Sequence, residues 1–561
     1  MKNVLSALVV LFFVAQAGWA RENWPVPDAA IQQRDEAWGQ YERQLIFRLA
    51  PELAAWEQKG KPFLPWAARP EDLPQAKVPA FPGAEGGGRF SFGGRGGKIF
   101  VVTNLADSGP GTLREACESA GPRMVLFNVA GIIHLEKPVY IEAPYLTMDG
   151  HTAPGDGVCI ADNGLVNNAH DIVIRYLRFR RGNTDIFNRH GVHYGNPVGN
   201  IILDHVSASW GQDQNLDTYR HMYQPTNGGI ALKLPSVNVT IQWCITSEAL
   251  NTYNHGFGGD WGGRNTGFHH NLFACNTGRN PSVAMTYDFN FVNNVLFNWR
   301  HRTVDGGGEE SLYNIINNYY KAGPAVNSGP VAYRLLLPSA TQTKQNPTPR
   351  FGKAYVAGNI VDGNARVTAD NWAGGVQFAA GGSKDDPTTT TNESVKLLVD
   401  QVRVDHPFPM PPMTITPAAE AFTAVLANAG ATLPRRDAVD ARVTLAVKTG
   451  RVWSEGKQFL PPQMKGLAKN NYGLAGNGII TDISQVGGYP EYMGEPRKDL
   501  GADGIPLSWK QQYGLDVHDP ALSQKDLQGD GYTVIEKYLA GLDPTRKIDW
   551  SDPRSSVNQL H

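Results

Sequence analysis

Short runs of strand-forming residues recur between residues 171 and 361, each closed by turn residues, and this recurrence constrains the fold more than any other feature. The runs cover residues 171–177, 200–206, 238–245, 267–273, 288–297, 311–320 and 353–361. Their starts are separated by about one solenoid coil, within the roughly 20 to 50 residues typical of repeat architectures. No helical segments alternate with them, which argues against a doubly wound α/β fold. A β-sandwich would place two-residue hairpin turns of the Asn-Gly type between strands. A solenoid, in which each coil buries its faces against its neighbours, accommodates the pattern. The fold class expected from the repeat is therefore all-β, a parallel β-helix.

A second regularity supports this reading. Asn271, Asn294, Asn318 and Asn359 each precede two apolar or aromatic residues. One asparagine at the same bend of successive coils can bond its counterparts and form a ladder. Asparagine also tolerates the left-handed backbone that a sharp bend demands.

The flanks differ. Lys2, the apolar stretch 4–14 and the small residues Ala15, Ala17, Gly18 and Ala20 read as a secretory signal peptide over residues 1–20. Residues 21–78 read as a helical N-terminal segment and a Pro-rich linker. Trp38, Tyr41, Leu45 and Leu49 recur at helical spacing over 28–58, and Pro62, Pro65, Pro70 and Pro74 follow. Residues 79–400 are assigned to the β-helix, and 401–561 to an extension with helices over 418–429 and 437–448. Two Asp-Gly segments near the end, Asp499 to Gly504 and Asp526 to Gly531, have the Asp spacing of a calcium loop. Both lack an acid at the third position and read as structural turns.

Composition excludes several classes. The 561 residues carry 51 Lys plus Arg against 53 Asp plus Glu, so a globally basic nucleic-acid binder is excluded. No apolar run after the leader is long enough to span a membrane. The chain is expected to be exported, monomeric and without nucleic-acid or membrane partners. Cys117, Cys159, Cys244 and Cys275 sit in apolar surroundings and read as buried free thiols. The glycines at 83–88 and 93–97 are not followed by the Lys-Ser/Thr and helix of a phosphate loop.

Two groups of residues could carry chemistry. Asp213-Gln-Asn-Leu-Asp217 sets two carboxylates beside a bend, where both can reach one hard cation. Calcium takes six to eight oxygens, so they would form only part of a shell. Asn276-Thr-Gly-Arg279-Asn280-Pro281 fixes an arginine in a turn just after His269-His270-Asn271, well placed for an anionic sugar. Solvated loop acids and a surface ion pair are the plainer alternatives.

Six segments together resemble the pectate lyase family of polysaccharide lyases, and in particular its bacterial branch. They are Ala80 to Gly88, Asp107 to Arg114, Thr152 to Gly157, Ile201 to Trp210, Phe268 to Phe273 and Gly278 to Pro281. The resemblance implies a right-handed parallel β-helix and β-elimination across a uronate glycosidic bond. Calcium would be the cofactor and an acidic polysaccharide, pectate foremost, the substrate. By position, Arg279 matches the family's catalytic base, although arginine ordinarily stays protonated. Asp213 and Asp217 match a pair of calcium ligands. Three departures stand out. Arg189-His190-Gly191 replaces an acid pair, so that the nearest upstream acid is Asp185. No lysine lies near His255, and Ser282 stands where an arginine often follows Arg-Asn-Pro. His190, His193 and His255 are candidates to bind substrate carboxylates or to act as base. A hydrolase resembling polygalacturonases, which needs flanking carboxylates, and a non-catalytic polysaccharide-binding β-helix are the alternatives.

Overall fold

In a computed structural model that describes residues 29–182, 193–378, 392–456 and 475–552, parallel strands from Lys98–Val102 to Ile360–Val361 stack into three faces. On the first face, inward residues of successive coils stand in register. The column runs Val125, Met148, Ile174, Leu203, Ile241, Phe268, Phe291, Ile315 and Val356. All of these are buried in one core that follows the solenoid axis. Burying each such side chain stabilises by about 1.5–3 kcal/mol, which explains why every coil repeats the same alternation. The second face is built of short strands from Gly131–His134 to Ile360–Val361.

The third face has two parts. In the early coils it consists of Val139–Ile141, Leu165–Asn167 and His193–Gly195. In the later coils it consists of the first residues of Asp260–His269, then Ser282–Thr286, Val304–Gly306 and Leu336–Pro338. Between the two parts, residues 214 to 218 contact the later coils through bridges from Gln214 to Phe257 and from Thr218 to Trp261.

The asparagine ladder is present. The side-chain amide of Asn271 donates to Asn294 Oδ1 at 2.9 Å, that of Asn294 to Asn318 Oδ1 at 3.1 Å, and that of Asn318 to Asn359 Oδ1 at 2.9 Å. The ladder continues from Asn359 to Asn371 at 2.9 Å. One detail differs from expectation. The left-handed residue at each bend is the one before the ladder asparagine: His270, Asn293, Asn317 and Gly358, with φ from 52° to 70°. The ladder residue is thereby left free to turn its amide inward and bind its neighbours.

Both extensions pack along the solenoid. Helix Ala29–Gln58 buries Leu45 and Leu49 against Tyr140, Ala143 and Val166. The Pro-rich stretch is extended, but it is not a free linker. Ala67 and Leu73 pack on Val198 and Val237, and Phe81 and Ala84 on Val173 and Ile202. Apolar residues between the prolines account for this, and a proline has no N–H to leave unpaired against an already paired sheet. The glycines at 86–88 allow the closest approach; a Cβ on Gly87 would lie 1.6 Å from the Asn265 carbonyl oxygen. Helices Ala418–Asn428 and Ala438–Thr449 cover the second face, with Val425, Val439 and Val443 against Ile245, Leu272 and Val295. Buried Arg180 meets Asp437 and Asp440 at 2.9 and 2.7 Å beneath them. The four cysteines are free and buried. Burial holds their thiols above the ordinary value, to about 12 for Cys117, Cys159 and Cys275.

Candidate functional site

Four of the residues singled out in the sequence meet on the third face, drawn from three successive coils. Asp213 and Asp217 lie in the segment that precedes strand Val237–Gln242, His255 in the turn before Asp260–His269, and Arg279 in the turn before Ser282–Thr286. The side chains of Asp213, His255 and Arg279 are 26, 29 and 19% exposed, so substrate can reach groups that are otherwise well packed.

Stacking sets the register. Thr218 pairs with Trp261, which places Asp217 beside Asp260; Asp260 pairs with Ser282, and Ser282 with Asp305. A column Asp217, Asp260, Ser282, Asp305 therefore crosses four coils. The Asp260 backbone N–H donates to Asp217 Oδ1 at 2.7 Å. The Ser282 hydroxyl donates to Asp305. Burial first, then the Asp260 carboxylate, hold Asp217 well above the usual carboxylate range.

Arg279 closes the cluster. It donates from Nη1 to Asp260 Oδ2 at 2.8 Å and lies 3.9 Å from Asp213 Oδ1. Gln214 donates to the same Asp260 oxygen at 2.8 Å. Burial disfavours charge on Arg279, yet Asp260, Asp213 and Asp217 outweigh it and hold the guanidinium above its ordinary value. Arg279 has φ 50°, a left-handed conformation that costs a non-glycine residue about 1 kcal/mol and marks positions held by their surroundings. Its guanidinium lies 4.7 Å from the Phe257 ring centre, and that of Arg302 from the next coil lies 4.5 Å from it. Arg302 is in turn held 3.2 Å from Asp305. A second guanidinium thus reaches the region where Ser282 stands in place of an arginine. The His255 ring nitrogen Nδ1 lies 2.6 Å from Asp213 Oδ1. At the rim, Arg220 and Lys233 lie 5.3 and 5.7 Å from the Tyr219 ring centre.

No family model matches the chain. A chain of Aspergillus fumigatus described as "Probable pectate lyase C" is 32% identical over 479 residues, spanning 83% of this chain and 94% of its own length. The Aspergillus flavus counterpart is 30% identical over 475 residues, with the same shares. The chain belongs to the pectate lyase family. "Pectate lyase 1" of Cryptomeria japonica is 31% identical over 157 residues, which is 24% of this chain and 41% of that one. Two solved structures are also similar. The thermostable pectate lyase PL 47 has TM-score 0.41 and 14% identity, over 62% of this chain and 96% of its own. The cedar pollen allergen jun a 1 has TM-score 0.39 and 18% identity, over 62% and 92%. The bacterial affinity read from the sequence is corrected: the curated relatives that span most of this chain are fungal.

For this pectate lyase family member, the remaining candidates are placed as follows. His190, with the Arg189 to Gly191 segment, lies outside the described residues. His193 opens strand His193–Gly195, one coil before Asp213. Sequence reasoning missed Asp260, Phe257, Arg302 and Asp305. A signal for Asp260 was available in Gly258-Gly-Asp260-Trp, because paired glycines beside an acid mark a close approach of backbone; a Cβ on Gly259 would lie 2.1 Å from the Leu216 carbonyl oxygen.

Calcium can be tested against these donors. Asp213, Asp217 and Asp260 offer hard oxygens; burial first, then the neighbouring Asp260 and Asp213 charges, raise Asp217 above the usual carboxylate range, and a bound cation would offset that crowding. Among the described residues no group of three or more His, Cys, Asp or Glu converges as a complete metal site. The donor chemistry fits calcium, in a shell that water and substrate carboxylates would complete.

Proposed function

We propose that the protein is a secreted polysaccharide lyase that cleaves an acidic uronate polymer, polygalacturonate foremost, by calcium-assisted β-elimination. The observation that carries this reading is the placement of Arg279 against Asp260 and Asp213, with His255 on the same Asp213 carboxylate. The fungal relatives described as pectate lyases, matched over 94% of their length, supply the substrate class. Residues 1–20, which lie outside the described residues, have the composition of a secretory leader and support the reading of export.

The chemistry requires loss of the C5 proton of a uronate and departure of the oxygen at C4. That proton is weakly acidic, so the enolate-like charge that develops must be stabilised. Arg279 is suited to this task. Its neighbours hold it protonated, and a planar guanidinium meets a carboxylate through two parallel bonds. The same protonation argues against Arg279 as the proton acceptor. We assign that role to His255, whose Nδ1 contact with Asp213 fixes the ring and aims Nε2. Asp213 and Asp217 would hold calcium beside the substrate carboxylate, where the ion supplies Lewis-acid polarisation. Arg302, Arg220 and Lys233 extend positive charge along the groove, and His190 and His193 are assigned to substrate binding.

The deciding experiment follows the ultraviolet absorbance of unsaturated product from polygalacturonate, with calcium and then with chelator. Calcium-dependent absorbance is expected. New reducing ends without absorbance would replace the lyase with a hydrolase, and polymer binding with neither would leave a binding protein.

A further inference from the structure

The two Asp-Gly loops of the C-terminal extension share one frame. Counted from Asp499, Asp503 is fifth, Gly504 sixth and Lys510 twelfth; counted from Asp526, Asp530 is fifth, Gly531 sixth and Lys537 twelfth. A twelve-residue calcium loop takes oxygens from positions one, three, five, seven and nine, turns on a glycine at six, and closes on a bidentate glutamate at twelve. Both loops keep the first and fifth acids and the glycine, which has φ 78° in one and 92° in the other. Both replace the closing glutamate with lysine.

Each lysine occupies the place the frame reserves for the ion. Lys510 and Lys537 are 2% and 1% exposed, and lysine is almost never so buried unless it is paired. Lys510 Nζ donates to Asp503 Oδ1 at 2.8 Å. Lys537 Nζ donates to Asp530 Oδ2 at 2.7 Å and to the Arg546 carbonyl at 2.9 Å. The fifth-position carboxylate, which meets calcium in a metal loop, here meets an ammonium. The first-position acids shape the turns: Asp526 accepts from the backbone N–H of Gln528, Asp530 and Gly531, and Asp499 accepts from the Ser508 hydroxyl at 2.6 Å.

We propose that Lys510 and Lys537 are built-in cations that replace calcium, so that the C-terminal lobe closes without metal. A divalent ion entering either loop would meet two carboxylates instead of three and would have to displace a buried ammonium from its only acidic partner among the contacts of that lysine. The lobe covers the outer side of the first coils. Ile505, Leu522, Val534 and Leu539 pack on Met124 and Leu126, Arg95 meets Glu536 at 2.6 Å, and Gln524 donates to the Gly97 carbonyl at 2.8 Å. A lobe locked by its own lysines keeps its hold when a carboxylate-rich polymer competes for calcium.

The test uses the full chain carrying Asp213→Asn, Asp217→Asn and Asp260→Asn, which removes the other candidate calcium ligands. Two quantities are measured with calcium and with chelator: the rate of proteolytic cleavage within the lobe, and the heat of calcium titration. The expected result is equal protection in both conditions and no binding heat from the loops. Adding Lys510→Glu and Lys537→Glu is expected to speed cleavage about tenfold or more in chelator, with protection returning in calcium if the glutamates complete the frame. Faster cleavage in chelator supports the built-in cation whether or not calcium restores protection. Three results would overturn it: lobe exposure by chelator in the parent, parent binding heat abolished by Asp503→Asn and Asp530→Asn, or full protection of the glutamate variant in chelator. Should that variant fail to fold, the two parent measurements still decide.

Discussion

Arg279 donates to Asp260 at 2.8 Å across the boundary between two coils, and no local spacing in the sequence announces the pair. Asp260 also accepts from Gln214 and donates its backbone N–H to Asp217, so one aspartate ties the arginine to the acid segment of the previous coil. Asp260→Asn keeps the shape and removes the charge. We expect kcat to fall about tenfold or more with the fold intact, because a misplaced guanidinium loses its alignment with developing charge. Steady-state kinetics beside a circular dichroism spectrum tests this, and a variant of unchanged kcat would remove Asp260 from the site.

His255→Ala should lower kcat by about 10²–10⁴-fold, the usual contribution of a positioned general base, with a smaller effect on KM. Arg279→Lys keeps one positive charge but loses the fork, and should also act mainly on kcat. If the lysine variant is inactive while the His255 variant retains full turnover, the proton goes to the Arg279 position and our assignment of the base is wrong.

The ladder makes a prediction about stability. Asn294 is buried, accepts from the backbone and side chain of Asn271, and donates to the Phe268 carbonyl at 2.9 Å and to Asn318. Asn294→Ala orphans several of these groups, each at about 1–3 kcal/mol. A clear drop in unfolding temperature at fixed scan rate is expected. An unchanged temperature would mean that water replaces the amide without loss.

A pH effect follows from the helix Ala29–Gln58. Glu42 on that helix and Glu142 on the solenoid share the Asn168 amide, at 3.1 and 2.5 Å. Burial, then the Glu42 charge, push Glu142 up to about 8 from an ordinary 4.5. Its folded value lies above its unfolded one, so its contribution is fully present below pH 4.5 and is lost as pH rises through about 8. Unfolding measured from pH 4 to 9 should show the parent losing stability relative to Glu142→Gln, on the order of a few kcal/mol. Parallel curves for the two proteins would rule the carboxyl pair out as the cause.

The solenoid was legible because its strands and its asparagines repeat at the same bend, and Asn271, Asn294, Asn318 and Asn359 announce the ladder they form. The site was legible in part. Asp213, Asp217 and Arg279 sit in compact local motifs, whereas Asp260 meets Asp217 only after 43 residues of chain have closed a coil. Arg302 escaped notice for the same reason: it reaches Phe257 from the next coil. The lysines at position twelve were visible all along, but as charges following an Asp-Gly turn they give no hint of burial. The Pro-rich segment misled because proline signals extension equally well in a tether and in a strap lying on a finished sheet.

The column Asp217, Asp260, Ser282, Asp305 has a consequence for how such a groove can change. Its members are separated by the strand spacing of a sheet, about 4.8 Å, so polar groups line the groove at fixed intervals like marks on a ruler. Inserting or deleting one whole coil would leave every remaining mark in register while lengthening or shortening the scale by one division. Loss of a single residue from a coil would instead invert the faces of its strand and erase a mark.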